Sequence, residues 1–175
     1  SLLSEYKVKL TNLNKNSNEH LFIIKETFFK DFSFSDITNS EIIVTCIASK
    51  KGEKISLSIN INGVIKNLLC DNCAENIHVP INSDSTFVIK QSDENNLNYD
   101  DILYVGYNDN VIEIKHLIYE LITLAVPSKR SHKSISSETE CNKDMKKLID
   151  KYSFREDEKD VDPRWAALKN LNLNK

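Results

Sequence analysis

The chain has 175 residues, 23 basic and 26 acidic, for a net charge of −3, and 40% of it is hydrophobic. That length suits one domain with a real core, or a domain with an appended tail, and the acidic balance excludes a protein that grips nucleic-acid backbone over its whole surface. No stretch reaches the roughly 18 apolar residues of a membrane-spanning helix, and the N-terminal SLLSEYKVKL lacks a basic region followed by an apolar core, so the chain is read as cytoplasmic, with reduced thiols rather than a disulfide scaffold.

In chain order, EYKVKLTNL predicts a short element, followed by the polar NKNSN. HLFIIKETFF alternates imperfectly and is read as a strand; Phe28, Phe29, Phe32 and Phe34 are dense enough to pack into a core. EIIVTCIASK is β-branched and reads as a strand, with Cys46 buried in it, and KKGE as a turn. In KISLSININ, Ile55, Leu57, Ile59 and Ile61 share one face, and Ser56, Ser58, Asn60 and Asn62 the other, as in a half-buried antiparallel strand. Gly63 marks a bulge or bend, VIKNLLC continues, and NIHVPI and STFVIK read as two strands separated by a polar turn, with Pro80 at an edge or strand end.

Residues 91–110 hold no Lys or Arg and read as a solvated loop enclosing the short strand ILYVG. NVIEIKHLIYELITLAVP predicts a brief strand into a helix, with Ile114, Leu117, Ile118, Leu121, Ile122 and Ala125 at helical spacing and Pro127 as the stop. CNKDMKKLIDKY predicts an amphipathic helix using Met145, Leu148 and Ile149. DPRWAALKNL predicts a terminal helix capped by Asp162, with Pro163 at its first position and Trp165, Leu168 and Leu171 on one side. The expected fold is α+β: a curved antiparallel, barrel-like β-meander with a few peripheral helices. Residues 1–127 form a strand-rich core domain ending in a helix, and residues 128–175 a polar, charged C-terminal extension.

The sharpest local signal is CDNC. Two thiolates at this spacing reach one soft metal ion from a tight turn. A redox pair would use the same spacing but open a helix in a βαβ setting, whereas Ala74, Glu75 and Asn76 lead straight back into a strand. Zinc needs about four ligands. Cys70 and Cys73 supply two, Cys141 is the third and His132 the fourth, with His78 and His116 as substitutes. Lys129, Arg130, His132 and Lys133 form the densest basic patch, placed to meet RNA phosphates or to complement a helix C-terminus, and opposed by the nearby SSE run. Arg164 and Trp165 mark the terminal segment as a second binding element. No nucleophile turn, phosphate loop or paired general acid and base is recognisable, and the three glycines could hardly build such a loop, so the chain is read as non-enzymatic.

Three blocks in order carry a resemblance: NGVIKNLLCDNC, VIEIKHLIYELITLAVPSKRSH and DPRWAALKNL. They resemble the DUF177, or YceD, family of large ribosomal RNA subunit accumulation proteins, over most of residues 20–172, and SHKS…ECNKDM looks most like the form found in the Bacteroidetes group. The family commonly carries Arg inside the cysteine pair, where this chain has Asn72. The resemblance implies an accessory role in large-subunit biogenesis, supporting accumulation or processing of 23S rRNA. The implied partner is an rRNA precursor, a ribosomal protein or an assembly factor, not DNA or a membrane. The alternative is a zinc-stabilised protein–protein interaction module without direct RNA contact.

Overall fold

The computed structural model describes residues 6–13, 15–92, 101–135 and 139–152. Its elements follow the apolar periodicities: β1 Lys7–Lys9, β2 Asn18–Ile24, α1 Glu26–Phe29, β3 Asn39–Lys51, β4 Lys54–Leu69, β5 Asn76–Gln91, β6 Ile102–Val105, β7 Val111–Glu113, α2 Lys115–Ala125 and α3 Lys143–Tyr152. Five strands form one sheet in the order β2-β3-β4-β5-β6, and β1 pairs with β7 in a separate two-stranded ribbon.

The three long strands supply the core because their alternation runs almost unbroken. Ile42, Val44, Cys46 and Ala48 of β3, Leu57, Ile59, Ile61 and Ile65 of β4, and Ile77, Val79, Ile81, Phe87 and Ile89 of β5 are all buried on one face. Full burial of such a side chain stabilises by about 1.5–3 kcal/mol. Covering that face are Phe28 and Phe29, Val8 and Ile112 of the ribbon, and Ile118, Leu121 and Ile122 of α2. Phe32 is half-buried and stacks on Tyr119 at 4.0 Å between ring centroids, whereas Phe34, grouped with it in the sequence, is 98% exposed.

The architecture corrects the expected barrel-like antiparallel meander. Among the described residues the sheet is open, with β2 and β6 as its edges, and it is mixed: β6 runs parallel to β5, Val88 opposite Ile102 and Gln91 opposite Val105. A barrel needs its first and last strands to pair. Here β6 is four residues long and reaches only the final residues of β5, and helices and the β1–β7 ribbon, rather than further strands, close over the apolar face.

Two local expectations also change. NIHVPI and STFVIK are not separated by a turn; they belong to the single strand β5, in register with β4 from Ile55 opposite Ile89 to Ile65 opposite Val79. Pro80 is tolerated there because β6 pairs only with Val88–Gln91, so that among the described residues no strand pairs with β5 beside Pro80 on that side. The irregularity assigned to Gly63 lies instead between Ile65 and Leu68, where Asn67 has φ +60°. Gly63 itself is a point of close approach: a Cβ there would sit 2.2 Å from the Glu41 carbonyl oxygen.

Candidate metal centre and the basic segment beside it

The β4–β5 connection is a short loop that carries two thiols. The Cys70 N–H donates to the Glu75 carbonyl at 2.9 Å, and the Ala74 N–H to the Cys70 carbonyl at 2.8 Å. Ala74 takes a left-handed conformation, φ +56°, which costs a non-glycine residue about 1–2 kcal/mol. Both sulfurs turn inward: Cys70 and Cys73 are buried.

A second segment folds over this loop. After α2 stops before Pro127, Arg130 meets Asp71 in a two-way clasp. The Asp71 N–H donates to the Arg130 carbonyl at 2.8 Å, and the Arg130 N–H to Asp71 Oδ2 at 2.7 Å. A turn follows, in which the Ser131 N–H donates to Ser134 Oγ at 2.7 Å and the Ile135 N–H to the Ser131 carbonyl at 3.2 Å. It holds His132 buried against the loop. Further on, Asn142 caps α3: its Oδ1 accepts from the N–H groups of Asp144 and Met145 at 3.0 and 3.2 Å. Its Nδ2 donates to Glu75 Oε1 at 3.1 Å, which ties the start of α3, and Cys141 just before it, to the cysteine loop.

Four donor atoms therefore converge. Cys70 Sγ lies 3.8 Å from Cys141 Sγ, Cys73 Sγ 3.5 Å from His132 Nδ1, and Cys141 Sγ 3.4 Å from the same nitrogen. All four atoms lie within 4.8 Å of one another. A tetrahedral zinc ion with Zn–S of about 2.3 Å and Zn–N of about 2.0–2.1 Å spans S···S edges of about 3.8 Å and S···N edges of about 3.6 Å. Three thiols and one imidazole at these separations form a candidate zinc site by size, donor type and count.

The thiols differ electrically. Burial pushes the Cys70 thiol up, but hydrogen bonds from the backbone at Asn72, His132 and Cys73, and from the Cys73 side chain, outweigh it and bring Cys70 down to about 6. Burial raises the Cys141 thiol, and the neighbouring Cys70 and Cys73 raise it further. Cys46, distant in role as in sequence, is pushed up to about 12 by burial alone, as befits a core residue.

Of the residues singled out by sequence, Cys70, Cys73, His132 and Cys141 come together, whereas the substitutes His78 and His116 are exposed and outside the cluster. Lys129 and Lys133 are exposed on the segment that supplies His132; Arg130 is half-buried, its Nε without a hydrogen-bond partner. Arg164 and Trp165 lie outside the described residues. The sequence reading missed Lys143 and Lys146, which with Asn72, Lys133, Thr139 and Cys141 border a depression of about 460 Å³ beside the cluster. The signal was available: KDMK begins two residues after Cys141 and puts its lysines three apart, on one side of a helix.

The family model described as "Large ribosomal RNA subunit accumulation protein YceD" matches residues 57–172, about two thirds of the chain. The match begins in β4, takes in all four residues of the cluster and leaves β1 to β3 outside it. Comparison with curated proteins and comparison with solved structures returned no match. Among the described residues, no helix is long and apolar enough to cross a membrane.

Proposed function

The chain belongs to the YceD family of large ribosomal RNA subunit accumulation proteins, and from that premise we propose that it is a non-enzymatic accessory factor of large-subunit biogenesis. It supports accumulation or processing of 23S rRNA in the cytoplasm, by binding rather than by chemistry. The observation that carries this reading is the joining of the cysteine loop to the basic segment. The Asp71–Arg130 clasp and the Cys70, Cys73, His132 and Cys141 cluster bring the two into one surface. Zinc held by these four side chains acts as a structural cross-link. It holds the segments that carry His132 and Cys141 against the β4–β5 loop and presents Lys129, Lys133, Lys143 and Lys146 together.

Such a local patch meets the phosphates of an rRNA precursor while the protein as a whole stays acidic. The test is a binding titration of the zinc-loaded chain against large-subunit rRNA precursor, with Lys133→Glu/Lys146→Glu alongside and salt varied. Direct, salt-sensitive binding that weakens in the variant supports the reading. Binding unaffected by salt and by both charge reversals contradicts it.

One observation favours a second reading, a zinc-stabilised module that docks on a ribosomal protein or assembly factor. No residue of α3 is buried, and Met145, Leu148 and Tyr152 are exposed along it. Association with pre-ribosomal particles that survives nuclease would select this reading.

A further inference from the structure

Sheet edges recruit further strands unless short length, bulges, proline or lysine prevent it. Of the two edges here, β6 is four residues long. β2 is different: seven residues, NEHLFII, paired with β3 residue for residue, with no bulge, no proline and no lysine. Among the described residues its far side makes no backbone–backbone hydrogen bond. Its outward face is also apolar. Leu21 and Ile23 are 59% and 60% exposed, beside Ile43 and Ile47 of β3 at 50% and 38%. The residues opposite these on β4 are Asn62 and Ser58, so the apolar strip continues into an uncharged surface rather than a cationic one.

The ends of the strip carry opposite charges. Glu19 and Lys25 stand three residues either side of Phe22, and Lys25 is still extended, which keeps it on the outward face with Leu21 and Ile23. Among the described residues Glu19 takes part in no ion pair.

We propose that β2 pairs with β2 of a second copy of the chain, antiparallel about a two-fold axis at Phe22, so that the two sheets become continuous. An isologous interface must be self-complementary, and this register is. Glu19 of each copy faces Lys25 of the other, and Leu21 of each faces Ile23 of the other. On the inner face the half-buried Phe22 meets its own counterpart. Sliding the pairing by two residues puts Glu19 opposite Ile23, or Lys25 opposite Leu21. A one-residue change of pairing sets outward residues against inward ones.

The test is sedimentation equilibrium of the full chain from micromolar to submillimolar concentration, with circular dichroism to confirm folding. The wild type is expected to dimerise. Glu19→Lys and Lys25→Glu each place like charges in two symmetric contacts, and each is expected to raise the dimer dissociation constant about tenfold. The double variant Glu19→Lys/Lys25→Glu restores the pairing with its signs exchanged and is expected to recover wild-type affinity. A wild type that stays monomeric throughout overturns the proposal, as does a dimer indifferent to both single reversals or a double variant no tighter than either single.

Discussion

Asp71 and Arg130, 59 residues apart in the chain, hold each other by two hydrogen bonds in opposite directions, one backbone to backbone and one backbone N–H to carboxylate. The contact joins the cysteine loop to the segment that carries His132 without using any metal-ligating atom. Clasp and metal ligands therefore hold loop and segment together through separate atoms, so either can be removed without deleting the other.

Replacing Asp71 by Ala removes the carboxylate half of that clasp. Hydrogen bonds to a charged group contribute about 1.5–3 kcal/mol, so amide exchange at Arg130 is expected to accelerate by about tenfold or more while β3 and β4 amides keep their protection. Hydrogen exchange read by mass spectrometry checks this. Unchanged exchange at Arg130 would mean that the clasp does not hold the segment.

Chelation tests the metal's contribution to stability. With free zinc about 1,000-fold above Kd, linkage stabilises the folded chain by about 4 kcal/mol, roughly 8–16 °C in Tm for a protein of this size. A strong chelator is expected to lower Tm by that amount in the wild type and to leave a Cys73→Ser variant unmoved. An equal drop in both would place the metal elsewhere.

Zinc affinity should fall with acidity, and the slope should change. The site binds thiolates, so binding at neutral pH expels the proton that Cys141, raised above its ordinary value, still holds. Cys70 sits at about 6 and is largely ionised above that pH. As pH falls through 6 it too takes up a proton that zinc must displace, so log Kd against pH steepens by about one proton. Competition titrations between pH 5 and 8 measure the slope; a slope that flattens below pH 6 contradicts the lowered Cys70.

How far the sequence reaches is clearest in β4 and β5. The alternation of Leu57, Ile59 and Ile61 was legible, because burial on one face imposes a period of two. So was the grouping of Cys70, Cys73, His132 and Cys141, because donor chemistry and count limit the choices. The parallel pairing of β6 was not, since ILYV reads as a strand in either direction and only tertiary context orients it. Nor was the open sheet: the same alternating strands serve a barrel or a flat layer, and what decides is that helices and the β1–β7 ribbon cover the apolar face. Phe34 misled because its neighbours Phe28 and Phe29 are buried, while its own position in the loop faces solvent.

Gly63 offers a test of the sheet itself. A methyl group there would lie 2.2 Å from the Glu41 carbonyl oxygen and 2.6 Å from the Ile42 Cα, both backbone atoms that cannot swing away. Gly63→Ala must push β3 and β4 apart, at an expected cost of about 3 kcal/mol or more. Thermal unfolding of the variant checks it; a loss under about 1 kcal/mol would mean that the two strands do not approach so closely.

The most direct measurement is native mass spectrometry with elemental analysis of the untagged, reduced protein, beside Cys70→Ser and Cys141→Ser. One zinc per chain in the wild type, lost in both variants, is the expected result. It would show that the β4–β5 loop and the segment ahead of α3 close a single metal site and carry the basic residues with them. A wild type that binds no metal while fully reduced, or a zinc retained by both variants, would contradict it.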